Sequence, residues 1–336
     1  MSTEAIAPAD PAPEPTRARF NGSLLTTLLP WALAVVLYIT LVLRASNFSH
    51  AGPLSVLMYS ITILGVVAMG QTCVILIGGI DLSVSNVMSG TTIIGAYIMG
   101  GGYSNQHLFK AVVICLALGA LVGLLNGLII TLLGMPDMIA TLAMWTIIYG
   151  AMTLFNSTHP AGGAAAGLTN FITKPVIWFI MPAALVWMVL AIVLTLVLRN
   201  TTFGRQVYAV GLSRGASRAA GISVMRTTVV LYVISGLCAA AAGLLLVGQL
   251  RIGQLASGSN YQLWSIAAVV LGGTSIFGGR GGYGNTIAGV AIIVLLVNGL
   301  LLVLRIGTAA QNILYGLVIL VMLVVFRFGS RREETT

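Results

Sequence analysis

The chain has 336 residues, 58% of them hydrophobic and 7% charged, with a formal charge of +9 and a mean hydropathy of +1.03. That composition excludes a soluble globular protein, whose surface carries several times more charge, and without ~10-residue alternating strands it also excludes a transmembrane barrel. Apolar runs recur from end to end, and about 20 such residues cross the ~30 Å hydrocarbon core, so the fold class is an all-α polytopic membrane protein.

Residues 1–22 are rich in Ala, Pro and Glu and read as a disordered tail. The apolar run that follows is too long for the core of a signal peptide. About ten transmembrane helices are predicted over 24–43, 54–77, 82–100, 109–132, 137–155, 175–198, 227–249, 262–277, 284–304 and 309–327. Gly, Ser and Thr dilute the third and eighth. Together they make a transmembrane domain over 23–328, interrupted by a polar loop at 199–226 and followed by a short tail, 329–336.

Basic residues set the orientation. With the N-terminus in the cytoplasm, that side receives eleven: Arg17, Arg19, Arg199, Arg205, Arg214, Arg218, Arg226, Arg280, Arg327, Arg331 and Arg332. The other side receives five: Arg44, Lys110, Lys174, Arg251 and Arg305. Both termini are therefore expected inside. The positive charge reads as topology and contact with anionic lipid, not as nucleic-acid binding. The loop Arg199–Arg226 carries five arginines and no acid. The opposite-side loop Asn156–Lys174 is Gly/Ala-rich. LLNGLIITLLG (Leu124–Gly134) is echoed by LVNGLLLVLRIG (Leu296–Gly307), with Asn126 and Asn298 offset by 172 residues. Five helices per copy would make the two halves inverted, as in many transporters, although Leu/Gly-rich helices also produce such echoes by chance.

The chemistry that is missing narrows the function. Neither lysine follows a glycine, so there is no P-loop. There is no HExxH motif, no histidine pair at metal-ligand spacing and no credible catalytic triad, so no catalytic or metal-ligating residue and no cofactor of the chain's own is expected. Cys73, Cys115 and Cys238 sit in apolar spans and read as small buried hydrophobes. Outside the tails the only carboxylates are Asp81 and Asp137. Asp81 lies in GGIDLSVSN (Gly78–Asn86). In one reading, Gly78 and Gly79 end the second helix and Asp81 caps the third by accepting amides near Ser83 and Val84. In the other, the break lines a polar cavity, where irregular backbone is tolerated at membrane depth. Ser83, Ser85 and Asn86 would then offer neutral hydrogen bonds to a polar solute. Asp137, after Pro136, has the same pattern at the start of the fifth helix.

Four ordered blocks carry a resemblance. GGIDLSVSN is similar to the GGIDLSVG signature of ribose-type permease subunits of bacterial ABC sugar importers. GLLNGLIITLLGMPDMIATLAM (Gly123–Met144) resembles that family's GLxNGxLITxxxxPPFIATLGTM. TTFGRQVYAVGLSRGASRAAGI (Thr201–Ile222) resembles TxFGRxxYAxGGNxxAARLSGI, and LGGTSIFGGRGGYGNTIAGVAI (Leu271–Ile292) resembles LGGTSxxGGxGxxxGTxxGxxI. The likeness covers nearly all of residues 50–325.

The resemblance implies a ten-helix importer fold of the vitamin B12 permease type in the bacterial inner membrane, with a second permease subunit, identical or not. It also implies two cytoplasmic ABC ATPase subunits, which bind ATP and Mg, and a periplasmic sugar-binding protein. The loop would hold a coupling helix near Ser213–Ala220, closed by Gly221, with Gly211, Ser213, Arg214, Ser217, Arg218 and Gly221 as the ATPase-coupling residues. Gln71, Asp81, Ser85, Asn86, Asn126 and Thr141 are candidates for the substrate path, each equally able to serve as a helix–helix hydrogen bond. Expected cargo is a monosaccharide of the ribose, xylose, galactose or galactofuranose, or inositol class, moved by alternating access. The sequence departs from the family at SRGASR, where NPEAAR is common, and at MPDM, where PPF is common. The alternatives are a self-contained secondary transporter or channel, or a same-fold permease for amino acids or a sugar-like signalling molecule.

Overall fold

A computed structural model describes residues 24–44, 46–100, 104–159 and 162–299, with isolated positions 313, 316 and 317. The described residues form twelve α-helices. These are α1 Leu24–Arg44, α2 Ala51–Leu76, α3 Val84–Met99, α4 Leu108–Leu132, α5 Asp137–Thr158, α6 Ala166–Thr173, α7 Pro182–Asn200, α8 Thr202–Leu212, α9 Arg214–Ala219, α10 Val224–Leu250, α11 Ser259–Leu271 and α12 Tyr283–Val294. A 3₁₀ turn, Ser46–Ser49, precedes α2, and α12 continues into a π-helical turn, Leu295–Gly299. Among the described residues, extended pairing is limited to two isolated bridges, Gly163 with Ile252 and Ile177 with Ile180.

Among the described residues five helices, α2, α4, α5, α7 and α10, are long and apolar enough to cross a membrane. Their outer faces are apolar in keeping: Ile139, Leu142, Ile147 and Leu154 of α5 and Val189, Ile192, Val193 and Leu196 of α7 are all exposed.

The expected spans differ from the helices at three places. The sixth starts at Pro182, not at residue 175. Pro182 opens α7, and the residue before it, Met181, is held extended at φ −88°, ψ 158°, because a proline disfavours helical geometry in its predecessor. The eighth ends at Leu271, not at residue 277, since Gly272 and then Gly273, at φ +79°, turn the chain. The Gly/Ala-rich loop 156–174 is partly helical: α5 runs on to Thr158, and α6 packs Leu168 and Ile172 against Gly248 of α10. Apart from the isolated positions 313, 316 and 317, the expected tenth span lies outside the described residues, as do the end of the ninth and both tails.

At the centre stand α2 and α10, the most buried of the long spans. The most extensive helix contact is between α4 and α10, and glycines four apart explain it. Gly119, Gly123 and Gly127 share one face of α4. A Cβ on Gly119 would strike the Gly236 carbonyl, one on Gly123 the Tyr232 carbonyl, and one on Gly127 the Val229 backbone. A Cβ on Gly236 would in turn strike the Gly119 carbonyl. Backbone meets backbone along this seam, which is how membrane helices gain packing energy without a hydrophobic drive.

Gly123→Val is expected to force the seam apart, at a cost of at least about 3 kcal/mol, and Leu128→Ala, off that face, to cost less. Thermal denaturation of the purified protein in detergent measures both.

Candidate functional site

The chain breaks between α2 and α3. Gly78 adopts φ +75°, a conformation that only glycine enters without strain. The amides of Gly78 and Gly79 return to the Ile75 and Val74 carbonyls at 2.9 and 3.1 Å. The end of α2 is sealed from outside the helix, because the Gly279 amide donates to the Leu76 carbonyl at 2.9 Å. Gly211 of α8 lies so close to the same carbonyl that no Cβ fits.

Asp81, 2% exposed, accepts three hydrogen bonds. The Ser83 amide reaches Oδ1 at 3.0 Å, the Ser83 hydroxyl reaches Oδ1 at 2.6 Å, and the Ser235 hydroxyl reaches Oδ2 at 2.8 Å. Asp81 was expected to cap α3, but Ser83 is the N-cap and has no side-chain cap bond; the Asp81 bonds to Ser83 instead order the turn before the helix, and the Ser235 bond adds α10. Asn126 of α4 donates its amide to the Ser83 hydroxyl at 2.9 Å. The break is thereby tied to both helices of the glycine seam.

The other candidates fall into three groups. Ser85 donates to Gln262 Oε1 of α11 at 2.7 Å and accepts the Trp145 indole of α5 at 3.0 Å, while Asn86 donates to the Trp145 carbonyl at 2.8 Å. The Thr141 hydroxyl lies 3.2 Å from the Ile80 carbonyl and 2.9 Å from that of Asp137. Gln71 stands apart from both groups: it is fully buried on α2, and neither end of its amide has a hydrogen-bond partner.

The polar loop folds into α8 and α9. The Thr201 hydroxyl caps α8 by accepting the Gly204 amide at 3.1 Å, and the Ser213 hydroxyl caps α9 by accepting the Ala216 amide at 3.2 Å. Gly221, at φ +78°, closes α9, and the Ile222 amide returns to the Ser217 carbonyl at 2.9 Å. Ser217 is buried and Arg218 exposed. Tyr208 of α8 donates to the Gly281 carbonyl at 2.9 Å, and burial pushes its phenol above the usual range, so it stays a donor.

Arg214 reaches back into the bundle. Its Nη2 pairs with Asp137 Oδ2 at 3.1 Å, with the aspartate side chain 10% and the arginine 40% exposed. The carboxylate lies against Gly79, where a Cβ would strike it and would also meet the Tyr232 hydroxyl. The first residue of α5, the break after α2 and the start of α9 therefore meet at one point.

Sequence reasoning did not find Ser235, Trp145, Gln262 or the Arg214–Asp137 pairing. Ser235 and Asn126 carry a weak signal as lone polar residues within apolar spans. Their partners lie 154 and 43 residues away, which no local pattern encodes.

Residues 52–326 match the family described as "Branched-chain amino acid transport system / permease component". The chain is 36% identical to the ribose import permease protein of Bacillus subtilis over 94% of its own length and 97% of the relative's. It is 32% identical to the L-arabinose transport system permease protein of Escherichia coli, covering 89% and 90% of the two chains. It is 30% identical to the fructose import permease protein of Bifidobacterium longum, covering 91% and 89%. No solved structure matches the chain.

Asp81→Ala orphans three donors, and the expected loss is about 3 kcal/mol; Ser235→Ala, which removes one bond, is expected to cost about 1 kcal/mol. Thermal unfolding of the two variants checks the ratio.

Proposed function

The chain belongs to the permease-component family of ABC importers, and on that premise we propose that it moves a neutral monosaccharide across the bacterial inner membrane by alternating access. It is a multi-pass membrane protein and a permease subunit of a sugar importer, a transport component that is not itself catalytic. The finer assignments are our reading: a ten-span fold of the vitamin B12 permease type, both termini in the cytoplasm, and cargo from the pentose, hexose or inositol class. A second permease, two ABC ATPases that bind ATP and Mg, and a periplasmic binding protein complete the assembly.

The observation that carries this reading is α9 and its tether. The α8/α9 end gathers Arg199, Arg205, Arg214, Arg218, Arg226 and Arg280, against Arg44, Lys110, Lys174 and Arg251 at the opposite end. The positive-inside rule makes it the cytoplasmic end. There α9 is a short capped helix on the surface, ready to dock on an ATPase. Exposed Arg218 is suited to the partner. Arg214 is turned inward, and its ion pair with Asp137 passes a displacement of α9 directly to α5 and to the break beside Asp81. A rigid contact between two elements is what such coupling needs.

A same-fold amino-acid permease is the second reading, favoured by the description of the family. The names of the relatives favour sugar. Purification with associated subunits, followed by uptake of D-ribose, L-arabinose, D-fructose and L-leucine in proteoliposomes, separates the two. ATP-dependent uptake of leucine alone would sink the sugar reading. Uptake without ATP or partners would sink the importer reading.

Arg218→Glu is expected to weaken ATPase recovery on purification. Asp137→Ala is expected to leave recovery intact while lowering sugar uptake per ATP hydrolysed about tenfold, and the exchange Asp137→Arg with Arg214→Asp to restore part of it. Those ratios, measured in proteoliposomes, check the division of labour.

A further inference from the structure

The connection between α11 and α12, residues 272–282, is a glycine-rich turn at the α8/α9 end of the bundle. Gly273, Gly278, Gly279 and Gly281 take φ of 79°, 87°, 72° and 114°, backbone that glycine enters without strain. The turn is closely bonded all the same. The Ser275 amide donates to the Arg280 carbonyl and the Gly278 amide to the Ser275 carbonyl, both at 3.0 Å. The Gly282 amide donates to the Thr274 hydroxyl at 3.2 Å, and the Phe277 amide to the Ser275 hydroxyl at 3.3 Å. So fixed, the turn displays Phe277, at 91% exposure the most exposed large apolar side chain among the described residues. Holding an aromatic ring in water is unfavourable, and here the backbone is shaped to do so.

Two helices hold the base of the turn. Toward α2, the Gly279 amide donates to the Leu76 carbonyl at 2.9 Å, and Gly278 lies so close to the Gly78 amide that a Cβ would strike it. Toward α8, Tyr208 donates to the Gly281 carbonyl at 2.9 Å, and Gly279 packs on the side chain of Leu212. Leu212 ends α8, is itself 67% exposed, and precedes Ser213, the cap of α9. The surface of the turn is thereby continuous with that of α8 and α9. Arg280 is exposed on the turn, and Arg218 on α9.

We propose that this turn is a second docking point for the ATPase subunit, with Phe277 as its aromatic anchor beside α9. The proposal rests on the importer reading and on the docking role given to α9 above, and it extends that surface to another part of the chain. An apolar centre with a charged rim is the make-up of a protein interface, and aromatic anchors carry much of the binding energy in such contacts. The partner that fits is a soluble subunit with an apolar hollow and an acidic margin. The position of the turn argues against lipid. It sits on the end of α2, one of the two most buried long spans, so it lies over the interior of the bundle and not along the flank that faces the bilayer. The rigid base gives the contact a consequence. A push on Phe277 reaches the end of α2 and the break before Asp81 through the Gly279–Leu76 bond, a route separate from the Arg214–Asp137 pair, which leads to α5.

The test uses the whole importer, this chain with its co-purified subunits. The photo-crosslinking analogue p-benzoyl-L-phenylalanine replaces Phe277 in one preparation and Arg218 in another. Illumination is expected to give an adduct with the ATPase from both positions. An ATPase adduct from position 218 with none from 277, or a 277 adduct formed only with lipid, with a second copy of the chain or with the chain's own residues 300–336, overturns the Phe277 contact alone. No ATPase adduct from either position overturns the docking role of α9 and this proposal with it. In a second assay Phe277→Ala should lower recovery of the ATPase on purification about tenfold, and Phe277→Tyr, which keeps the ring, should retain it. Thermal unfolding of the isolated permease should be the same for both variants as for the wild type. Full recovery with Phe277→Ala, or a permease destabilised by it, makes the ring no anchor and overturns the contact. Should the analogue at position 277 prevent assembly, recovery with Phe277→Ala against Phe277→Tyr decides.

Discussion

The close approach of α4 to α10 is the constraint on which the rest of the structure depends. Three glycines on one face of α4 bring its backbone against that of α10. Ser235 and Asn126 thereby come within reach of the Gly78–Ser83 break, and both are spent there, one on Asp81 and the other on Ser83. A wider seam would leave a buried carboxylate short of a donor, and such a loss is expensive in a low-dielectric interior. Packing and electrostatics are thus one problem at this place: the glycines set the distance, and the hydrogen bonds exploit it.

Two interrupted helices face one another across the bundle. The α2–α3 break lies toward the α8/α9 end, and the α10–α11 break enters from the opposite end. They meet where Ser85 donates to Gln262. Asn126 serves the first break, and Asn298, its counterpart in the sequence echo, lines a cavity beside the second. Between them α3 acts as a polar rail. Ser85, Ser89 and Thr92 recur at helical spacing on one face, and each bonds to the segment that begins α11 or leads into it. Full-length lipid-facing helices would leave no room for such a rail.

The two carboxylates outside the tails have different tasks. Asp81 is enclosed and its partners are neutral donors, so it fixes the geometry of the break. Asp137 sits at the boundary of the bundle, paired with an arginine that is still partly in solvent. That position spares Arg214 the full desolvation cost of a buried ion pair, while the 3.1 Å contact keeps the start of α9 tied to the start of α5. Both partners lie where this sequence departs from the family pattern, Arg214 in SRGASR and Asp137 in MPDM, so the two departures are joined by one bond.

Hydropathy and glycine placement determined much of this protein by themselves. Helices α2, α4, α5 and α10 lie within a few residues of their predicted spans, because a continuous apolar run has no other low-energy form in a bilayer. The helix near Ser213–Ala220, closed by Gly221, was expected from the family resemblance, and the structure adds its Ser213 cap, a contact between near neighbours. The proline at residue 182 and the glycines after Leu271 overrode apolar runs that hydropathy alone would have continued as helix. Tertiary structure alone decided the rest. That Asp81 binds Ser235, that Arg214 turns inward to Asp137, and that residues 252–258 descend beside α3 all depend on contacts across tens to hundreds of residues. Such pairings follow from how helices pack, and packing is set by three-dimensional distance, which a one-dimensional pattern of polarity does not carry.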